Sequence, residues 1–196
     1  MVETGTTKDR LADAFRTCLE EAGYSKTKVS TVARMCNVDR QTFYYWFKDI
    51  EDVLRFLYRR EFHPDREEGF WPDDLAQGRM LFLDLAERNR SLVNTVLASP
   101  VRDEAIMAWF ELMVWGYGRR FDAMTGQIAD KRLQRNLEPE KGYFTTTMSV
   151  STIALDECWI RGGMFDVSKE NLVEMELRVA DDCLQGILAR HTQAAL

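Results

Sequence analysis

Hydrophobic positions recur with helical spacing along most of the chain. Over 8–22 the apolar residues Leu11, Ala14, Phe15, Cys18, Leu19 and Ala22 fall at i, i+3, i+4, i+7, i+8 and i+11, the stripe of an amphipathic helix, and Gly23 ends it. A shorter stripe, Val29, Val32, Ala33 and Cys36, predicts a second helix too brief to hold unless neighbours pack against it. Asn37 then stands at a tight turn, where Asn is the non-glycine residue that best tolerates the left-handed conformation. Asp39 is an N-cap for a third helix running to about Trp46, with Val38, Phe43 and Phe47 facing inward. Asp49 and Asp52 open a fourth helix carrying the stripe Ile50, Val53, Leu54 and Leu57.

Breaks at His63-Pro64-Asp65 and Phe70-Trp71-Pro72 separate these four helices from the rest. The pattern then predicts a helix over 75–88, a short one over 92–97, a break at Ser99-Pro100, and a long helix from Asp103 into the 130s. Between 105 and 118 the only charge is Glu111, which predicts a segment buried on all sides. Glu138-Pro139 with Gly142 reads as a loop. Two more helices follow, 143 to about 161 and, after Gly162-Gly163 and a Ser168 cap, 172 to about 190. No segment alternates with period two. The expected fold is all-α with about nine helices, divided into a domain over 1–62 and a larger one over 63–196.

The net charge of −6 argues at first sight against a nucleic-acid partner, because phosphate contact needs Lys and Arg. Its distribution changes that picture. Residues 1–62 carry 11 Lys and Arg against 10 Asp and Glu, whereas 63–196 carry 15 against 22. Within 26–48 stand Lys26, Lys28, Arg34, Arg40 and Lys48 against the single acid Asp39. A basic island on an acidic body fits a small DNA-contacting module joined to a domain with another task.

Other chemistry finds little support. Cys18, Cys36, Cys158 and Cys183 are scattered, and His63 and His191 are the only imidazoles, so neither a zinc site nor a disulfide framework is implied. Each Cys is expected to be a small core residue. No metal or cofactor is expected, and with no Gly-rich phosphate loop or base near a nucleophile, a helical enzyme is a remote alternative. The longest uncharged stretch, 142–155, is 14 residues and rich in Thr and Ser, against about 20 apolar residues for a membrane span. The start Met1-Val-Glu-Thr-Gly lacks the layout of a secretory signal, so a cytoplasmic location is expected.

The third helix, Arg40-Gln-Thr-Phe-Tyr-Tyr-Trp-Phe-Lys48, carries two faces. Phe43 and Phe47 take the core, while Gln41, Tyr44, Tyr45 and Lys48 fall at i, i+3, i+4 and i+7 on an outward stripe. A helix in a major groove uses such tyrosines well, the hydroxyl reaching phosphate and the ring covering sugar or a thymine methyl. Arg40 and Gln41, at the N-terminal end that approaches base edges, suit bidentate contacts to guanine and adenine. Half-buried packing tyrosines beside a solvated cationic face remain the other reading of the same pattern.

The stretch from Val29-Ser-Thr-Val-Ala-Arg-Met-Cys-Asn-Val-Asp-Arg through Thr42-Phe-Tyr-Tyr-Trp-Phe-Lys-Asp-Ile-Glu-Asp-Val-Leu54 resembles the N-terminal DNA-binding domain of the TetR/AcrR regulators, over residues from about 8 to 60. The resemblance implies a helix-turn-helix domain in which Arg40, Gln41, Thr42, Tyr44, Tyr45 and Lys48 face DNA, with Ser30 and Thr31 contributing from the preceding helix. Three positions depart from the usual pattern: Lys28 stands where Thr commonly caps the second helix, Asn37 replaces Gly, and Trp46 replaces a common His. Lys28 can exchange a cap for a phosphate contact. Tyr143-Phe144 with Trp159-Ile-Arg-Gly-Gly-Met164 resembles the closing helices of the subgroup that includes regulators of dihydroxyacetone kinase operons, over about the last fifty residues.

The resemblance further implies a homodimer, formed by the last two helices, on a roughly palindromic double-stranded DNA operator. Thr145, Thr146, Thr147, Ser149, Ser151, Thr152 and Ala154 would permit close helix approach, though a solvated face fits them equally. It implies a repressor released by a small effector in the second domain, with Phe82, Trp109, Phe110, Met113, Tyr117, Met148 and Trp159 as wall candidates. Glu111 and Asp156 are almost the only charges near those residues on their helices, so the effector is expected to be mainly apolar. Plain core packing accounts for the same residues, and control by a protein partner is the alternative to a small molecule.

Overall fold

A computed structural model of the chain describes residues 6–62, 72–126, 128, 130–162 and 166–193. Among them are nine α-helices, one turn of 3₁₀ helix and no strand. The described residues divide into two compact units, one within 1–70 and 85–105, the other within 71–84 and 106–196.

The first unit is built on α1 (Thr7–Ala22), α2 (Val29–Met35), α3 (Arg40–Trp46) and α4 (Ile50–Phe62). Thr6 and Asp9 form a reciprocal capping box that satisfies the free amides at the start of α1. Gly23, at φ 79, ends the helix in a conformation that a Cβ disfavours. The predicted stripe buries Leu11, Ala14, Phe15, Cys18 and Leu19, while Ala22 is exposed. The packing face of α4 adds Val53, Leu54, Leu57, Tyr58 and Phe62.

Residues 85–105, which the sequence division assigns to the second domain, belong to this unit. They contain α6 (Arg90–Leu97), which packs on α1 and α4 through Leu92, Val93, Val96 and Leu97. Polar contacts reinforce that packing. The Arg16 guanidinium donates to Asn89 Oδ1 at 2.7 Å and pairs with Glu61, and Glu104 accepts from both Arg55 and Arg59 of α4.

The second unit combines the start of α5 (Leu75–Arg88) with most of α7 (Arg102–Thr125), α8 (Lys131–Ile160) and α9 (Lys169–Gln193). Trp109, Met113, Tyr117 and Phe121 recur every four residues on the inner face of α7. Rings meet edge to face, Phe82 with Trp109 at 4.6 Å and Tyr117 with Phe144 at 6.0 Å between centroids. Phe144, Met148, Ile153 and Ile160 of α8 and Leu172, Val173, Ala180, Leu184 and Ile187 of α9 complete the core.

Four sequence expectations are corrected. The long helix stops at Thr125 rather than continuing into the 130s, and α8 starts at Lys131, where the Asp130 carboxylate accepts from the amides of Arg132 and Leu133. Pro139 and Gly142 lie inside α8 instead of marking a loop. Proline removes the amide that would bond the carbonyl of Arg135, but both residues are exposed, so water can serve that carbonyl. The segment 105–118 is not buried all round: Met107 and Trp115 are exposed, and the Arg119 guanidinium lies 5.2 Å from the Trp115 ring centroid. Cys18 and Cys36 are buried as expected, yet Cys158 is half-buried and Cys183 exposed. The breaks expected at His63-Pro64-Asp65 and Phe70-Trp71, and Gly163, lie outside the described residues. Among the described residues no helix is long and apolar enough to cross a membrane.

Candidate functional site

The site begins at the turn between α2 and α3. Lys28, in the N-cap position of α2, makes no side-chain capping bond; its extended backbone leaves the exposed ammonium free of the helix end. At the other end of α2 the amide of Val38 donates to the carbonyl of Ala33 at 3.0 Å, and that of Asn37 to Arg34 at 3.0 Å, around a left-handed Asn37 at φ 54. A β-branched side chain is disfavoured in that conformation, so Asn37→Val should cost about 1–2 kcal/mol in chemical denaturation whereas Asn37→Gly should cost nothing. The turn is also tied to α1: the Arg10 guanidinium donates to the carbonyl of Cys36 at 3.1 Å, and the Cys36 thiol donates to the carbonyl of Arg10.

Asp39 then starts α3, accepting the amide of Thr42 at 2.7 Å. That hydrogen bond holds the Asp39 carboxyl below its usual range, so the cap is ionised at neutral pH. Phe43 and Phe47 are buried at 0% and 2% exposure and fix the helix to the body. Phe47 meets Phe56 of α4 edge to face at 5.4 Å, and the Lys8 ammonium lies 4.4 Å from the centre of the Phe56 ring and 5.5 Å from that of Phe47. At the helix end the amide of Lys48 donates to Asp52 while that of Asp52 donates to Asp49, so the chain leaves α3 in a determined direction.

With its phenylalanines anchored, α3 turns the opposite face outward. Tyr44 is 56% exposed and Tyr45 79%, and Arg40, Gln41 and Lys48 are exposed beside them. Tyr45 rests edge to face on Trp46 at 5.0 Å, which holds the ring upright without covering it. Ser30, Thr31 and Thr42 are half-buried. An open depression of about 470 Å³ between α2 and α3 is lined by Ser30, Arg34, Asn37 and Arg40, among others. Arg34 and Asn37 were outside the residues predicted to contact DNA; the basic island over 26–48 was the signal that could have included Arg34. A short rigid helix with cations and unpaired hydroxyls on one face can bond phosphates and base edges, and has no residue set for covalent chemistry.

Residues 11–56 match the family model described as bacterial regulatory proteins, tetR family. The chain carries the DNA-binding helix-turn-helix domain of the tetR family. One similar solved structure agrees on the fold. The dihydroxyacetone kinase operon activator DhaS aligns over 91% of this chain and 96% of its own, at 16% identity and a TM-score of 0.58. A chain described as a tetR family transcription regulator from Shewanella sp. PV-4 aligns over 90% and 96%, at 16% identity and a TM-score of 0.46. No curated protein sequence matches.

The effector-wall candidates of the second unit are not all brought together. Phe82, Trp109, Met113 and Tyr117 are buried in its core, Phe110 and Trp159 are half-buried, and the Trp159 indole donates to the carbonyl of Val167 at 3.0 Å. Met148 lies instead in an open groove of about 400 Å³ between α8 and α9, beside Tyr143, Phe144 and Cys183. Arg79, Asp156 and Glu176 are buried in this core among the apolar residues. Arg79 lies 5.9 Å from the Phe82 ring centroid and donates to both carboxylates. Burial drives Tyr117 up to about 12, so its hydroxyl keeps its proton, and it bonds Thr152 at 2.7 Å.

Proposed function

We propose that the chain is a sequence-specific transcription regulator that grips double-stranded DNA with α3 and acts as a homodimer. One observation carries the DNA reading: Arg40, Gln41, Tyr44 and Tyr45 are exposed on a helix whose Phe43 is sealed, with Phe47, its extended C-cap, buried and Lys48 exposed just beyond the helix end. Lys28, Ser30, Thr31 and Thr42 flank that face and suit phosphate contacts. Selection of bound sequences from random duplexes, followed by footprinting, tests it. Enrichment of a two-fold operator with half-sites about 34–36 Å apart, or somewhat more, is expected. An asymmetric half-site would count against the dimer, and no enrichment at low salt against DNA recognition altogether.

The outer faces of α8 and α9 support dimerisation through the last two helices. Tyr143, Val150, Met175 and Val179 are exposed there, with small residues such as Thr146, Thr147, Ser151 and Ala154 between them. Charging this face with Val150→Glu and Met175→Glu should convert dimer to monomer in light scattering and weaken operator binding, with each chain still folded. A variant that stayed dimeric would move the interface elsewhere.

A small effector in the second unit would oppose DNA binding by favouring another spacing of the two α3 helices. In this reading the effector is mainly apolar, because its wall candidates are aromatic residues and Met. Repression is the simplest outcome, although DhaS is by name an operon activator. Transcription from a promoter carrying the selected operator, with and without the protein, distinguishes the two signs. Copurification of a protein partner, with no small-molecule response, would instead favour control by a protein.

A further inference from the structure

We propose that Glu176 is a proton switch in the second unit, holding one proton in the folded chain under mildly acidic conditions and releasing it as the surroundings become alkaline. The geometry is an unbalanced ion cluster. Arg79 of α5, Asp156 of α8 and Glu176 of α9 are each at most 5% exposed. Arg79 donates to both oxygens of Asp156, at 2.9 and 2.6 Å, and from Nε and Nη2 to the single oxygen Oε2 of Glu176, at 3.1 and 2.8 Å. Glu176 Oε1 is buried and has no hydrogen-bond partner among the described residues. Two ionised carboxylates around one guanidinium would leave a negative charge uncompensated in the core, which a low-dielectric interior tolerates poorly.

The charged and titratable groups facing Glu176 are Arg79 from α5, Tyr117 from α7 and Asp156 from α8. Tyr117 is committed to Thr152 and keeps its proton. Burial raises the Asp156 carboxyl as well, against the attraction of Arg79, but both its oxygens accept from the guanidinium, at 2.9 and 2.6 Å, so it is the anion of the pair. Glu176 has one oxygen engaged and one free, which makes it the group that takes the proton. Desolvation raises its carboxyl to about 7, outweighing the attraction of Arg79. The crevice beside Arg79, lined also by Leu75, Met113 and Trp115, offers about 10 Å³. That is room for about one water, so the species exchanged here is a proton rather than a larger ligand.

The direction of the effect follows from the raised value. The folded chain binds this proton more tightly than the unfolded chain, whose carboxyl titrates near 4.5. The stabilisation is therefore complete below that value and is lost as pH rises through about 7. In the alkaline state the ionised Glu176 weakens the hold of α9 on α5 and α8. This inference concerns the second unit alone and stands whether or not the DNA reading does.

Urea denaturation of the full chain at a series of pH values from about 5.5 to 8.5 tests it. The wild-type midpoint should fall as pH rises through about 7, and Glu176→Gln, which keeps the shape of the protonated acid, should flatten that fall. Carbon NMR of carboxyl-labelled glutamate in the wild type is the second measurement, needed if the variant does not fold; one glutamate should titrate well above the others. Equal pH slopes in wild type and Glu176→Gln, or all glutamates titrating near 4.5, would overturn the proposal.

Discussion

Arg79→Met should destabilise the chain by about 3–5 kcal/mol. The variant keeps most of the side-chain volume and removes the cation that, among the described residues, pairs with both Asp156 and Glu176. Two buried carboxyls are then left facing each other. They can escape only by binding protons, so the loss should be smaller at acidic pH and grow as pH rises. The combined variant Arg79→Met, Asp156→Leu, Glu176→Met should recover much of the loss, because a packed apolar set avoids the desolvation that ions incur. Denaturation of the single and combined variants measures both. If Arg79→Met cost less than about 1 kcal/mol, water would have to reach the cluster, against its burial.

That cluster also shows where sequence reasoning ends. Each member lies on a predicted helix, but Arg79 stands 77 residues from Asp156 and 97 from Glu176. Nothing local distinguishes Arg79 from an ordinary surface arginine, and only the packing of three helices reveals the set. Asp156 is one of the two charges that the sequence places beside the wall candidates, but the groups that surround it come from α5 and α9. The break around Pro139 failed for a related reason. Proline is a strong local signal, yet an exposed proline within a helix of 30 residues removes one hydrogen bond that water can replace.

The first unit was far more legible because its determinants are local. Gly23, Asn37 and Asp39 act within a few residues of themselves, and the structure shows them as a helix end, a left-handed turn and an N-cap. The two faces of α3 could be read from spacing because Phe43 and Phe47 are four apart and the tyrosines fall between them. What spacing left open was whether the tyrosines were covered, and their exposure answers that. Residues 85–105 were harder to assign, since joining this unit depends on α6 meeting α1 and α4 across the chain.

On that exposed face, substitutions should separate recognition from stability. Arg40→Ala and Gln41→Ala should each lower discrimination between operator and scrambled DNA by about 1–3 kcal/mol per lost bidentate pair. Lys48→Ala should weaken all sequences alike and lower the slope of log affinity against log salt by about 1. All three residues are exposed, so denaturation midpoints should stay within about 0.5 kcal/mol of the parent. Phe43→Ala is the contrasting case: its ring is fully buried, so the change should cost about 3–5 kcal/mol and loosen the whole helix. Affinities measured on operator and scrambled duplexes over a salt series distinguish these outcomes. If Arg40→Ala and Gln41→Ala bound both duplexes as the parent does, base contacts would lie elsewhere, and the depression bordered by Ser30, Arg34 and Asn37 would be the next surface to substitute.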